Sequence, residues 1–481
     1  MNYRMVKNVL GWLLLFEACF MLLPLLTALV YGEWNELFAF LYTIALLVVV
    51  GGLMILVLRP KKQELYAKEG FIIVSLGWIL ISLFGALPFV FSGVVPSYID
   101  AFFETVSGFS TTGASIIQNV ESLPRTILIW RSFTHWVGGM GVLVFIMAFL
   151  PLGGGRNMHM MKAESPGPSV SKLVPRVRTT ALILYLIYAI LTVLQIILLL
   201  FGNMSLFEAV NTALATAGTG GFSFRNDSYA SFSSYVQVIV SIFMLLFSVN
   251  FASYYLVWKR KWKDVLNGEV RCFFVVVVSA VVIISAELLY DGVFAGVGES
   301  IKHSLFSVAT IISTTGFSST NFDLWPSLSK SVLVLLMFVG ACAGSTGGGI
   351  KVSRLMIFFK TVGRELGAIL HPKQVKKSTL DGRVVEDNVV RSVCAYMAAY
   401  VLIFVASLLL ISVDGKDLVT NFTAVAATFN NIGVGLSEIG PSGSWAGFSV
   451  FSKIILCLDM LIGRLEIFPM LLLFSPRTWK K

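Results

Sequence analysis

Ser110, Thr111, Thr112, Gly113 and Ala114 spell STTGA, and the chain returns to that phrase three more times: GTGGF from Gly218, STTGF from Ser313 and NNIGV from Asn430. Aligned on the fourth letter, the copies put Gly113, Gly221, Gly316 and Gly433 in register, roughly one hundred residues apart. Each lies between two long apolar spans. Internal repetition of this kind sets the architecture before any single motif does. It predicts one membrane unit used four times around an axis, where four polar, glycine-bearing backbone segments converge. Such convergence suits a bare cation.

The chain is 57% hydrophobic and 13% charged, with apolar runs of about 20 residues, each long enough to cross a bilayer as a helix. A soluble domain could not hide so much apolar surface. The fold class is therefore an all-α polytopic membrane protein. We read about ten crossings, near 8–31, 36–58, 70–93, 125–150, 180–202, 232–258, 270–292, 327–359, 392–413 and 445–474.

The net charge of +10 is not spread evenly. Lysine and arginine gather in alternate connections, at 59–68, 156–178, 259–271, 360–391 and 477–481. The other connections carry Glu33, Glu36, Asp100, Glu121, Asp227, Asp323 and Glu438. This is the positive-inside pattern, so both termini and the basic loops are expected in the cytoplasm. A nucleic-acid partner leaves the alternation unexplained. The first apolar segment, from Val9, is too long for a signal-peptide core and is read as a mature helix. Cys19, Cys272, Cys342, Cys394 and Cys457 are scattered and suggest packing rather than a disulfide framework or metal site.

Two opening helices, 1–58, precede four pore repeats at 59–155, 156–262, 263–365 and 366–481. Each repeat reads as a crossing, a short amphipathic stretch, the glycine phrase and a second crossing. The short stretches, 98–110, 205–217, 299–312 and 416–429, cannot span a bilayer. Their starts resemble helix N-termini: Ser97 and Asp100, Ser205 and Glu208, Glu299 and Ser300, Asp414 and Asp417. Because the flanking crossings run in opposite directions, each short helix dips in and the chain returns to the same side. Its C-terminal end then points into the membrane, where its partial negative charge favours a cation. Irregular backbone at that depth must be buried in protein or line a water-filled path. Glycine dihedrals turn successive carbonyls toward the axis, as in the carbonyl rings of potassium filters. One such loop alone would read as a turn. Four in register read as a filter.

On the four phrases, on GACAGSTGGGIK from Gly340 and on GRLEIFP from Gly463, the whole chain resembles the Trk/Ktr/HKT superfamily of potassium-uptake proteins, most closely its bacterial TrkH branch. The two extra opening helices fit that branch better than KtrB. The resemblance implies potassium uptake across a bacterial inner membrane and a homodimer with one pore per subunit. It also implies a cytoplasmic ring of nucleotide-binding regulatory subunits, called TrkA in this branch. Nucleotide is expected only on that partner, and no cofactor on this chain beyond the transported K+. Carried over by position, the filter comprises Ser110, Thr111, Thr112 and Gly113, then Thr219, Gly220 and Gly221, then Thr314, Thr315 and Gly316, and finally Asn431, Ile432 and Gly433. Plant relatives with serine at the first glycine position are associated with sodium preference; Gly113 there supports potassium. The repeats are not equivalent, since Asn431 replaces threonine and Gly220 and Ile432 replace Thr112 and Thr315. The filter is thus expected to be less symmetric than a tetrameric channel's, with weaker discrimination against sodium.

The span 327–359 is too long for one crossing, and Gly340, Gly344, Gly347, Gly348 and Gly349 interrupt it. Each costs a helix interior about 1 kcal/mol relative to alanine, so the helix is expected to break near mid-membrane, although small residues also serve close helix packing. In the family the equivalent loop, here with Ser345 and Thr346, is a gate beneath the filter. A phosphate-binding Walker loop is rejected because Ile350 separates Lys351 from the preceding glycine. Arg464 lies deep in the last span between Asp459 and Glu466. Such a group usually faces the bundle interior or water and is paired. The family places it near the gate; a structural ion pair with either neighbouring acid is the other reading. Lys453 is expected to snorkel to the interface, and His135 and His303 to be packed or hydrogen-bonded. The basic loops around Met158 to Arg178 and His371 to Arg391 could dock a partner or simply face lipid headgroups.

The expected task is therefore channel-like potassium uptake, with a proton- or sodium-coupled symporter as the alternative. Asp459 and Glu466 are the main deep carboxylates for coupling. No repeat carries the arginine-studded helix of a voltage sensor. The chain also lacks a GxSxG elbow, an HExxH pair and clustered metal ligands, so no enzyme is expected.

Overall fold

The computed structural model describes residues 2–57, 67–141, 177–371, 379–380 and 383–479. Among the described residues, six helices are long and apolar enough to cross a membrane: Tyr3–Tyr31, Trp34–Val57, Lys68–Phe91, Thr179–Phe201, Gly268–Tyr290 and Asp387–Asp414. The first two form an antiparallel hairpin turned at Gly32, whose φ is 70°. Gly11 and Gly51 let the two backbones meet, because a Cβ on either would lie 2.9 Å from the other's carbonyl oxygen. The remaining four are the first helices of the four repeats. Three of them, Thr179–Phe201, Gly268–Tyr290 and Asp387–Asp414, turn exposed apolar faces outward, as lipid-facing surfaces must, whereas Lys68–Phe91 is mostly buried.

The short helices fall where the sequence places them, at Tyr98–Phe109, Leu206–Ala217, Val297–Ile312 and Leu418–Phe429. Three are capped by the expected residues: Ser97 accepts from the Asp100 amide, Ser205 and Glu208 form a capping box, and Asp417 accepts from the Thr420 amide. The third begins earlier than expected. Gly296 precedes it with no side-chain cap, and Glu299 and Ser300 lie inside its first turn. We call the side on which these helices start the mouth face.

The second helices depart most from expectation. A break was expected in the third repeat alone, and there Ser327–Val339 does end at Gly340, with helix resuming at Val352–Leu370. The second repeat also breaks: Ser234–Ser248 and Phe251–Trp258 meet at 92°, so 232–258 is not one straight crossing. No glycine makes that bend. Asn250 starts the new helix by accepting from the Ala252 amide. In the fourth repeat, Val450–Arg464 stops and Phe468–Phe474 follows, across Glu466 and Ile467 with φ of 57° and 68°. The first repeat's second helix is Arg125–Gly139; beyond Gly141 the expected crossing 125–150 lies outside the described residues, as does most of the basic stretch 158–178. In the other basic loop, Thr379–Leu380 pairs antiparallel with Arg383–Val384.

The main core gathers where short and second helices pack. Phe103, Phe109, Trp130, Ala424, Ala426 and Ala427 are all buried there. Burying the short helices places four chain reversals together at the centre of the molecule.

Candidate cation site

The four phrases share one backbone conformation. Their second residues, Thr111, Thr219, Thr314 and Asn431, have φ of 58°, 53°, 60° and 57°. Their fourth residues, Gly113, Gly221, Gly316 and Gly433, have φ of 82°, 83°, 85° and 81°. Left-handed backbone is unfavourable for residues with side chains, so four matching pairs mark a constraint imposed by the surroundings. That constraint is visible as a ring. A Cβ on Gly113 would fall 1.9 Å from the Gly220 carbonyl oxygen, and one on Gly221 1.9 Å from that of Thr315. One on Gly316 would fall 2.0 Å from the Ile432 oxygen, and one on Gly433 2.2 Å from that of Thr112. Each glycine thus meets the third-position carbonyl of the next segment, and the fourth segment returns to the first. The ring closes.

Side chains reinforce this arrangement unequally. Ser110 and Thr112 share a hydroxyl hydrogen bond of 2.7 Å, as do Ser313 and Thr315 in the equivalent positions. Asn431 Nδ2 donates to Thr112 Oγ1 (3.0 Å) and to the Met460 carbonyl (2.9 Å), joining the fourth segment to the first. The buried Thr111 hydroxyl and Asn431 Oδ1 have no hydrogen-bond partner among the described residues.

Behind the ring, His135 Nδ1 lies 2.7 Å from the Gly108 carbonyl, and its Nε2 accepts from the Phe222 amide at 3.2 Å. These bonds assign a neutral imidazole protonated on Nδ1, bridging the first two segments. The imidazole is hydrogen-bonded, as expected. The second helices press close: a Cβ on Gly138 would meet the Phe109 carbonyl at 1.8 Å, and one on Gly463 the Phe429 carbonyl at 2.1 Å.

The ion pair between Glu104 and Arg131 was not singled out in the sequence. Both are buried, 2.8 Å apart, and Arg131 also donates to the Ser115 hydroxyl and the Ser223 carbonyl. Glu104 accepts from the Ile116 amide at 3.0 Å. Together they fix the chain leaving the first segment to that leaving the second. Their depth in apolar stretches was the available signal. A cavity of about 360 Å³ opens above the ring, lined by Gly113, Gly221, Gly316, Gln118, Ser223 and Ser442 among others.

Below the ring lies the loop from Gly340 to Lys351. Gly340, Gly344 and Gly349 have φ of 68°, 73° and 74°, so the clustered glycines serve a folded loop rather than helix packing alone. Its Cys342 amide donates to the Ser248 carbonyl (3.0 Å) at the break in the second repeat, and the Gly348 amide to Thr314 Oγ1 (2.7 Å). A Cβ on Gly348 would lie 2.4 Å from the Asn430 carbonyl. Arg464 reaches this loop, donating to the carbonyls of Thr346 (2.8 Å), Gly138 (2.6 Å) and Gly139 (2.7 Å). It clasps loop and first repeat together. The nearby acids are engaged elsewhere: Glu466 pairs with Arg354, and Asp459 Oδ1 accepts from the Ser407 hydroxyl at 2.6 Å. Lys453 does not snorkel; it is buried against Asp100 at 2.6 Å. His303 is hydrogen-bonded too, its Nδ1 3.0 Å from the Ser319 hydroxyl.

Fold and site define a polytopic membrane protein with four re-entrant units around one axis. The family profile for TrkH, a cation transport protein, matches residues 36–481, and the chain belongs to that family. It is 36% identical to the Trk system potassium uptake protein TrkH of Escherichia coli strain K12, over the full length of both chains. It is 35% identical to the protein of the same name from Halomonas elongata, again with both fully covered. The crystal structure of the potassium transporter TrkH from Vibrio parahaemolyticus superposes with a TM-score of 0.89 at 32% identity, covering all of both chains.

Proposed function

We propose that this chain takes up potassium across a bacterial inner membrane, its four glycine segments forming the selectivity filter. One observation carries the reading: each filter glycine abuts the next segment's third carbonyl, so the four segments close a ring of backbone carbonyls. Carbonyls so arranged replace an ion's hydration shell. The oxygens of Thr112, Gly220, Thr315 and Ile432 coordinate the ion, with the Thr111 hydroxyl and Asn431 Oδ1, which have no hydrogen-bond partner among the described residues, as further ligands. The relatives' names as potassium uptake proteins support the choice of cargo. An inward-negative potential contributes about 2.3 kcal/mol per charge per 100 mV, enough to drive uptake without a chemical reaction. The loop from Gly340 to Gly349, clasped by Arg464, acts as the gate. Each subunit of a homodimer holds its own pore, the basic loops and both termini face the cytoplasm, and a TrkA-like nucleotide-binding ring sets the gate from that side. The repeat boundaries 59–155, 156–262, 263–365 and 366–481 follow this scheme.

Proton coupling is the second reading, favoured by one feature: Asp459 is buried and its Oδ2 has no hydrogen-bond partner among the described residues. Rubidium tracer uptake into proteoliposomes holding only this chain separates the two. Uptake that follows the electrical potential, ignores a pH gradient and resists sodium is expected. Uptake that needs a proton gradient, and loses that need in Asp459→Asn, would overturn the channel-like reading.

A further inference from the structure

Lys351 ends the glycine-rich loop just before Val352–Leu370 and takes part in neither the ring nor the Arg464 clasp. It is 2% exposed and has a φ of 73°, a left-handed conformation costly for a residue with a side chain. Its side chain folds back on its own loop, where Nζ donates to the Gly347 carbonyl. Burying an ammonium is unfavourable unless it is hydrogen-bonded and its charge is paired; here a loop carbonyl accepts its hydrogen bond. The charged groups acting on it are Glu466, Arg464, Arg354 and Glu269.

Gly347 is where the loop presses on the third segment. A Cβ there would lie 2.9 Å from the Ser313 carbonyl and 3.5 Å from Thr314 Oγ1, and the neighbouring Gly348 amide donates to that same hydroxyl. The other charged anchors act from outside the loop. Glu269 accepts from the Ala343 amide at 2.8 Å and the Ser353 amide at 3.1 Å, which pins the two ends. Arg464 holds Thr346 from the fourth repeat. Lys351 instead holds the loop's tip from within. A carbonyl that accepts a hydrogen bond from an ammonium also suits a bare monovalent cation, so a tethered ammonium and a passing ion compete for one oxygen.

We propose that Lys351 is a cationic latch: its ammonium occupies the Gly347 carbonyl, keeps the loop against the ring, and must leave that oxygen for ions to pass. The latch rests on the loop being the gate. Basal rubidium uptake by the full chain, without a regulatory partner, is compared for wild type, Lys351→Met, Lys351→Arg and a variant lacking residues 345–349. Lys351→Met is expected to raise uptake by about 10- to 100-fold, the effect of losing one charge-assisted hydrogen bond, while Lys351→Arg stays near wild type. Because methionine replaces a buried charge with an apolar stem of similar length, the melting temperature should hold or rise. Wild-type uptake in Lys351→Met beside raised uptake in the loop deletion would refute the latch and leave the gate standing. Unchanged uptake in both would refute the gate and the latch with it. Equal rises in the Met and Arg variants with lowered melting temperatures would reduce Lys351 to a packing role and refute the latch. Should Lys351→Met fail to assemble, Lys351→Gln carries the same expectations.

Discussion

Replacing Gly221 by alanine tests the ring directly. The new Cβ would start 1.9 Å from the Thr315 carbonyl oxygen, and the two must part by about 1 Å to reach the 3.0 Å limit that real contacts respect. The obstacle is backbone, so it cannot be relieved by a rotamer change. Shifting Thr315 moves Gly316, which itself abuts Ile432. The dihedral adds about 1–2 kcal/mol, because alanine resists a positive φ. With strain at the displaced carbonyl of about 1–3 kcal/mol, the total is about 2–5 kcal/mol, or at least roughly thirtyfold in uptake. Gly292→Ala supplies the control: its φ is 65° with nothing within 4 Å of the added atom, so it carries the dihedral cost without the collision. Rubidium uptake into proteoliposomes, at matched incorporation and with melting temperatures recorded, reads the difference. Gly292→Ala should transport like wild type. A Gly221→Ala protein that transports at that same rate, with unchanged sodium competition, would refute the claim that the glycine–carbonyl contacts shape the ion's position.

Two further outcomes follow from the surroundings of the ring. Glu104→Gln leaves Arg131 buried without its counter-charge, and removing one partner of such a pair costs about 3–5 kcal/mol; a melting temperature within error of wild type would contradict that role. At the mouth face, hydrogen bonds from the Thr420 hydroxyl and then the Thr420 amide hold Asp417 below its ordinary carboxylate value. A depressed folded value means that stabilisation is present above the unfolded pKa of about 3.9 and is lost as pH falls through the folded value. Asp417→Asn should therefore flatten the fall in melting temperature between about pH 5 and about pH 2, and an unchanged acid limb would exclude this cap from acid sensitivity.

Much of the site could be read from the residues because its signals are local. Apolar length announces crossings, a capped amphipathic stretch too short to span announces a re-entrant helix, and a glycine repeated in register announces a shared backbone conformation. Gly113, Gly221, Gly316 and Gly433 accordingly adopt nearly one φ. The break at Asn250 left a fainter trace, because an N-cap within an apolar run resembles an ordinary buried polar residue. Arg464 shows the limit more sharply. Its neighbours in sequence, Asp459 and Glu466, looked like natural partners, yet its guanidinium donates to three carbonyls from two other repeats.

The sequence by itself determined the membrane class, the four re-entrant units and the glycines at their reversals, since hydropathy, capping and dihedral freedom act over a few residues. Only the tertiary structure decided the order in which the segments meet, the Glu104–Arg131 pair and the amine of Lys351 on Gly347. Those depend on which carbonyls burial leaves facing which donors. A buried charge or polar group must find whatever partner the packed fold brings within reach, and that partner can be hundreds of residues away along the chain.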